Sequence, residues 1–404
     1  MSSPLPLSGL RVLDFSQFLA GPYASLRLAD LGADVIKVER AGKGDLSRYL
    51  YVSDVVIDGD STIFHAINRG KRSMAVDLNL PADRERVWAL IDEADVVIQN
   101  FRPGVIERLG FGPEAVRARR PEIVYGSVSG YGRGNAWEAL PGQDLLAQAR
   151  SGVMWLSGSA QDGPVAIGLP VADILAGAAL AQGILALLVR RGLTGEGGLV
   201  ETSLIEAVCD LQFELLTTHF NDGGRLPQRP GNFPAHAYLA APYGVYPTAD
   251  GHIAIAMNDL ERLAECLALE APFSGLDPFR HRDAIKAELA THLATGPTER
   301  WMQAFVEADI WAAPVMDWRE LVASGVLQSL DMLGETERGQ ARIRTLRGPL
   351  RIDGRRPSAE APAPRLGEDT PRWRAREPSL AVGTGVPTAT EATQAEDQEE
   401  NIRP

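Results

Sequence analysis

Asp173 sits where chemistry is easiest to imagine. It follows Gly168-Leu-Pro-Val-Ala and opens a run of almost wholly apolar residues, so its carboxylate is expected at a helix N-terminus in dry surroundings. Such a carboxylate has two readings. It can cap the helix, which Asp does well at about 0.5–2 kcal/mol. Stripped of water, it can also act as a nucleophile that forms a covalent acyl intermediate. The two roles are not exclusive, and the sequence leaves both open. A second cluster is Asn100-Phe-Arg-Pro-Gly-Val-Ile-Glu-Arg. It follows a strand and precedes a helix, which places Asn100, Phe101, Arg102 and Arg108 where free N–H groups and guanidinium forks can meet a phosphate. The plain alternative is a solvated arginine face. Arg40 and Lys43 after one strand, and Arg69, Lys71 and Arg72 before the next, add two basic clusters expected at the same rim. Other chemistries find less footing. The six histidines include no pair three or four residues apart, so no zinc or iron site is expected. No Gly-x-Ser-x-Gly elbow occurs, which argues against a serine hydrolase of the common α/β type.

The elements that must position these residues can be read from periodicity. Strands are expected at Leu10–Phe15, Asp34–Glu39, Ala94–Gln99 and Glu122–Val128, with helices at Pro22–Leu31, Pro81–Glu93 and Pro113–Arg120. Strands alternating with helices imply an α/β fold with a mainly parallel sheet covered on both faces. The dinucleotide fingerprint is missing, since no Gly-x-Gly-x-x-Gly follows the first strand. The most apolar stretch, Pro164 to Val189, is long enough to raise the question of a membrane. Asp173 and Gln182 interrupt it, and an Asp at the centre of a membrane helix costs about 2.5–3.5 kcal/mol. A buried helix from near Asp173 to Arg190-Arg191 is expected instead, with small residues for close packing. A strand and a helix follow over 200–220, then a Gly- and Pro-rich linker. A hairpin through Asp250-Gly251 and helices at Leu260–Leu269, Arg282–Leu293 and Thr298–Ala308 suggest a smaller α+β domain at 225–328.

The chain has 404 residues and a net charge of −13, with 45% apolar and 23% charged residues, which suits an ordinary globular protein. The acidity is uneven. Residues 1–120 hold 16 basic and 16 acidic side chains, whereas 377–404 hold one and six. The last segment has little to bury and is expected to be a flexible acidic tail. The balance excludes broad nucleic-acid affinity but leaves room for one local phosphate site. Cys209 and Cys266 form no CxxC pair, so neither a zinc ribbon nor a disulfide framework is expected and a reducing cytoplasm is the default. Nothing in residues 1–10 marks the chain for secretion.

Several ordered pieces resemble the class III CoA-transferases, the family that includes formyl-CoA:oxalate CoA-transferase, carnitine CoA-transferase and the α-methylacyl-CoA racemases. They are Leu7-Ser-Gly-Leu-Arg-Val-Leu-Asp-Phe, Ala20-Gly-Pro, Leu31-Gly-Ala-Asp-Val-Ile-Lys-Val-Glu-Arg, Asn68-Arg-Gly-Lys-Arg-Ser, Asn100-Phe-Arg-Pro-Gly, Gly168 to Asp173, Ala241-Pro-Tyr, Ala313-Pro-Val and Pro364-Arg-Leu-Gly-Glu. The resemblance implies a Rossmann-like large domain over 1–220, completed by about 330–375, and an interlocked homodimer. It implies that Asp173 is the nucleophile and that coenzyme A and acyl-CoA are substrates, with no permanently bound cofactor. By position it assigns CoA contacts to Leu19, Ala20, Arg40, the strand Val76-Asp77-Leu78, Asn100, Phe101, Arg102, Arg108, Gln143 and Asp144. The partners implied are an acyl-CoA and a small carboxylic acid, with neither nucleic acid nor membrane.

Two departures matter. The racemase branch uses a His in a Gly-His-Asp motif, but here the motif reads Gly142-Gln143-Asp144. A glutamine amide cannot shuttle a proton at neutral pH, so racemisation by that route is disfavoured. The glycine-rich flap of the oxalate enzymes is also missing from 221–260, and Asn232 to Tyr238 are the expected acceptor-lining residues instead. A CoA-transferase is therefore the expectation. An acyl-CoA racemase on the same scaffold and a non-catalytic CoA-binding protein are the alternatives.

Overall fold

Short apolar runs become strands because both of their faces are covered. In chain order these are β1 (Arg11–Asp14), β2 (Asp34–Arg40), a small hairpin of β3 (Val56–Ile57) and β4 (Asp60–Ser61), β5 (Arg72–Val76), β6 (Val96–Gln99), β7 (Val124–Ser129) and β8 (Gly198–Ser203). The protein's structure, a computed structural model, describes residues 4–269 and 273–374; the expected acidic tail lies outside them. Six strands pair in parallel in the order β5-β2-β1-β6-β7-β8. The order reverses between β1 and β6, the kind of switch point where open α/β sheets bind ligands at their carboxyl edge.

The helices between the strands are α1 (Ala20–Asp30), α2 (Thr62–Asn68), α3 (Pro81–Glu93), α4 (Val105–Arg108), α5 (Pro113–Arg119), α6 (Asp144–Ser151), α7 (Val171–Thr194), α8 (Leu204–Leu211) and α9 (Phe213–Asn221). Helix α3 has the expected bounds because Pro81 occupies its first turn, where a missing N–H costs nothing. One face of the sheet packs on α1, α6, α7 and α8 through residues such as Leu28, Ala147, Leu180 and Val208. The other packs on α3 and α5 through Leu90, Ile91 and Val116, joined by Trp373.

Helix α7 starts two residues earlier than the sequence suggests. Pro170 is its N-cap residue, and Gly195, at φ 77°, ends it. Asp173 is thus the third helical residue, and the reading of it as an N-cap is overturned. The helix buries a narrow stripe of Ala172, Ala176, Gly177, Leu180, Ala181 and Ile184. Its fit to α1 is close: a Cβ added at Gly177 would collide with the Ala20 carbonyl. It is the one described helix long and apolar enough to cross a membrane, with 33% of its apolar window buried.

A second apolar cluster gathers Tyr246, Ile253, Leu263, Leu289 and Phe305. It is built from β9 (Gly244–Pro247), β10 (His252–Ile255), α10 (Leu260–Cys266), α11 (Arg282–Leu293), α12 (Thr298–Glu307) and β11 (Ala312–Pro314). Strands β9 and β10 form the expected hairpin, with His252 opposite Pro247. Strand β11 joins β10 from 57 or more positions away, a pairing the local sequence does not announce.

The chain then returns to the large sheet. After α13 (Trp318–Ala323), α14 (Val326–Ser329) and a hairpin of β12 (Leu333–Arg338) and β13 (Ala341–Leu346), it runs along the open edge of β5. Gly70 N–H donates to Ala361 O at 2.8 Å, Ala75 N–H to Thr370 Oγ1 at 2.9 Å and Asp369 N–H to Ser73 O at 3.0 Å. Buried charges fasten the same region. Arg48 pairs with Glu39 at 2.8 Å and Asp60 at 3.0 Å, and its guanidinium lies 3.7 Å from the Phe64 ring centre. Arg338, only 3% exposed, reaches Asp58 and Asp60 at 2.8 Å each and donates to the Ala363 carbonyl.

Candidate active site

The carboxyl edge of the sheet gathers most of the residues singled out in the sequence. Leu19 and Ala20 follow β1, with Leu19 as the N-cap residue of α1. Arg40 ends β2. Val76 ends β5, so the expected strand Val76-Asp77-Leu78 stops one residue in, and Asp77 and Leu78 lie beyond it. Asp77 Oδ1 there accepts the Asn79 backbone N–H at 3.0 Å, a local turn that draws the chain away from the sheet. Asn100, Phe101 and Arg102 follow β6, and Arg108 ends α4. Arg40, Arg102 and Arg108 are exposed and form no ion pair among the described residues, which leaves their guanidinium groups available to an anion.

The third basic cluster does not join them. Residues that precede a parallel strand belong to its opposite edge, and Arg72 there pairs with Asp34 at 3.2 Å. Arg69 pairs with Asp30. Lys71 is buried, donating to Asn68 Oδ1 at 2.9 Å and Pro22 O at 3.0 Å beside Asp14 at 3.3 Å. Burial pushes its ammonium down to about 8 despite the Asp14 carboxylate. These side chains support the interior, so the expectation of three clusters on one rim is corrected to two.

The turn after β1 is held by side chains. Ser16 N–H donates to Asp14 Oδ1 at 2.9 Å, and Lys37 Nζ donates to Ser16 O at 2.7 Å. Phe18 N–H donates to Asp45 Oδ1 at 3.2 Å. Burial raises Asp14 and Asp45, but Lys71 and Lys37 beside Asp14, Lys37 beside Asp45, and the hydrogen bonds each accepts together hold both below the usual carboxylate range. Asn100, assigned to CoA by resemblance, spends its amide on Gln17: Oδ1 accepts the Gln17 N–H at 2.8 Å and Nδ2 donates to the Gln17 carbonyl at 2.7 Å. Gln17, Asp14, Lys37 and Asp45 were not singled out in the sequence. An Asp followed two residues later by Ser, a pair prone to side-chain turns, was the available signal.

Asp173 is reached from two sides. Asp144, the first residue of α6, supplies the cap that Asp173 does not: its Oδ1 accepts the Ala172 N–H at 2.6 Å and the Asp173 N–H at 3.3 Å. Its Oδ2 accepts from Gln148 Nε2 at 2.7 Å, and Gln148 in turn accepts the Ile167 N–H at 2.9 Å. Gly142 is required upstream, because a Cβ there would strike the backbone of Gly130. Gln143 is exposed at the N-cap position of α6. The Asp173 carboxyl is half-buried, and its pKa is raised to about 7, first by burial and then by the like charge of Asp144; a backbone hydrogen bond from Ala20 opposes the shift. The result is a basic carboxylate that forms no ion pair among the described residues, between the starts of two helices. That suits attack on an electrophilic carbonyl better than structural pairing.

Comparison with known proteins is consistent with this geometry. The sequence profile of CoA-transferase family III matches residues 7–370. Succinyl-CoA:mesaconate CoA-transferase of Haloarcula hispanica is 34% identical, over 97% of this chain and 99% of its own. Succinate–glutarate CoA-transferase of Agrobacterium fabrum is 34% identical, over 90% of this chain and 93% of its own. The crystal structure of a CaiB/BaiF family protein from Brucella suis superposes with a TM-score of 0.82 at 28% identity, covering 92% of this chain and 99% of that one. A parallel sheet with a switch-point site, matched along nearly its whole length to enzymes that move CoA between acids, identifies this chain as a CoA-transferase belonging to family III.

Proposed function

We propose that the protein transfers CoA from an acyl-CoA to a small organic acid through covalent intermediates on Asp173. The observation that carries this reading is the Asp173 carboxyl at the head of α7, half-buried, in no ion pair among the described residues and raised to about 7. Its oxygen attacks the donor thioester carbonyl, the C–S bond breaks, and a mixed anhydride forms with release of CoA thiolate. The thiolate attacks the Asp173 carbonyl of the anhydride, giving an aspartyl-CoA thioester and the free donor acid. The acceptor carboxylate then displaces the thiolate, and the thiolate takes the acceptor acyl group, restoring Asp173. Each step exchanges one activated acyl group for another, so neither ATP nor a resident cofactor is needed. The protein orients the groups, excludes water and stabilises charge. The exposed Gln143 offers no proton shuttle, which weighs against racemisation.

The test is incubation with succinyl-CoA and a panel of free acids, including mesaconate and glutarate, with hydroxylamine trapping and mass spectrometry. Acyl exchange together with a hydroxamate on Asp173 is expected. Exchange of the α-proton with solvent and no acyl exchange would overturn the reading.

Transfer needs ionised Asp173, so its rate should rise with pH through about 7. In Asp144→Asn the like charge is gone and a capping oxygen remains, so the acid limb of the pH–rate profile should move to lower pH; an unmoved limb would separate Asp144 from this titration. Arg108→Ala should weaken CoA binding roughly 10- to 150-fold, the scale of one charge-assisted hydrogen bond of about 1.5–3 kcal/mol, with melting unchanged. Calorimetric titration with CoA reads this directly.

The assembly and setting belong to the same proposal. Val189, Leu193, Phe213 and Phe220 are 65–83% exposed on α7 and α9, an apolar surface suited to burial in a homodimer rather than in a membrane. The free thiols Cys209 and Cys266 suit a reducing cytoplasm. For the acceptor side we keep Asn232 to Tyr238. The buried hydroxyl of Tyr238 has no hydrogen-bond partner among the described residues, and Tyr238 borders a cavity of about 740 Å³ shared with Trp155 and Leu216.

A further inference from the structure

We infer that Asn100 is a positioning residue for the acyl-transfer step, acting through the backbone of residues 17–20 and not through a side-chain contact with CoA. The inference rests on the reading of Asp173 as nucleophile. Strands β1 and β6 pair up to the bond from Phe15 N–H to Ile98 O at 2.8 Å. The register of β1 with β6 ends there, at Asp14 and Ile98, and the carboxamide of Asn100 takes over the ladder. It presents one C=O and one N–H to Gln17, as the next peptide group of a strand would. Its oxygen and its nitrogen each make one of these bonds, and together they fix the plane of the amide against Gln17.

What this secures lies one step further on. Phe18 stands at φ 61°, a left-handed conformation that costs a non-glycine residue roughly 1–2 kcal/mol and persists only where neighbours over-determine it. The neighbours are Lys37 on Ser16, Asn100 on both sides of Gln17, and Asp45 on Phe18. Past the strained residue, Leu19 is the N-cap residue of α1, and Ala20, its first residue, lies against α7, its carbonyl filling the space of a Cβ on Gly177 one turn beyond Asp173; the Ala20 backbone N–H there lowers the Asp173 pKa. Gly21 completes the fit, since a Cβ there would overlap the Ser16 side chain and approach Asn100 Cγ. Without the Asn100 amide, both polar groups of Gln17 lose their partners. Phe18 is then free to relax, and the Ala20 N–H is no longer fixed against the carboxylate.

The test compares Asn100→Ala with wild type in succinyl-CoA transfer, in CoA binding by calorimetry and in pH–rate profile. Displacement of a reacting group by about 1 Å costs on the order of 100-fold. The expected result is a fall of that size in kcat, a CoA Kd within about threefold of wild type, and an acid limb moved to higher pH because the N–H that lowers the Asp173 pKa is lost. A raised Kd with kcat preserved would overturn the inference and make Asn100 a CoA contact; an unchanged enzyme would overturn it as well. If Asn100→Ala loses its native circular dichroism, Asn100→Asp carries the test. It keeps the acceptor for the Gln17 N–H and repels only the carbonyl, so its kcat should fall between the other two. Asp173→Ala, run alongside, tests the nucleophile separately: full transfer by that variant would remove the covalent route while leaving the Asn100 binding result to be read by itself.

Discussion

Asp173→Asn is expected to lose transfer by at least about 10⁴-fold, on the scale seen when a nucleophile is removed, and yet to unfold at a higher temperature than wild type above neutral pH. The first half follows from the amide's inability to form an anhydride. The second follows from linkage. The folded-state pKa of about 7 lies above the ordinary value of 3.8, so the native protein holds this proton more tightly than the unfolded chain does. Stability from this group is therefore fully present below about pH 4 and is lost as pH rises through about 7. Above that pH the wild type carries the whole cost of an ionised, half-buried carboxyl near Asp144. A shift of this size, discounted for the exposed part of the side chain, corresponds to about 2–4 kcal/mol. Melting curves at pH 4 and pH 8 check it: the variant and wild type should nearly coincide at the lower pH and separate at the higher. A variant less stable at pH 8 would mean that Asp173 is a structural carboxylate after all.

The second large effect belongs to Arg338. Its guanidinium is buried among Asp58, Asp60 and the carbonyls of Asp58 and Ala363, with Arg48 sharing Asp60. Arg338→Met removes the fork and leaves Asp60 with one partner, a change that costs about 3–5 kcal/mol when a buried pair is broken on one side. Urea denaturation at pH 7 should show a matching fall in midpoint. Arg338→Lys should recover little of it, because a point ammonium cannot serve acceptors arranged for a planar fork. A loss below about 1 kcal/mol would show that the cluster is solvated in solution and holds little.

Much of the large sheet was legible because its signals are local. Pro81 at a first turn, Gly32 after α1 and the β-branched runs at Val35 and Val96 mark elements within a few residues. The site was legible only in part, because its decisive contacts join distant positions. Asp173 looked like a cap when read alone, yet the cap comes from Asp144, 29 positions earlier. Asn100 stands after a strand, where a ligand contact is expected, and nothing local announces that its amide also bonds both backbone groups of Gln17, 83 positions away. Lys71 and Arg72 looked like part of a phosphate rim, but their positive charge is spent on Asp14 and Asp34. Local pattern reveals which residue types are available. Only the crossing of the chain between β1 and β6 decides which of them keep a free hand.

The seam between β5 and the returning C-terminal segment has a consequence for how the protein is made. Strand β5 is an outer strand of the parallel sheet, and its free N–H and C=O groups are covered by residues 361–370, almost 300 positions downstream. On the ribosome the first 220 residues can collapse around their own helices, but that edge stays open until residues 361–370 have emerged. An uncovered, apolar edge strand is a template for pairing with other chains, and contacts of such long sequence separation form late. Nascent forms, or forms truncated before residue 361, should accordingly be the aggregation-prone ones, with the return of residues 361–370 acting as the closing stitch.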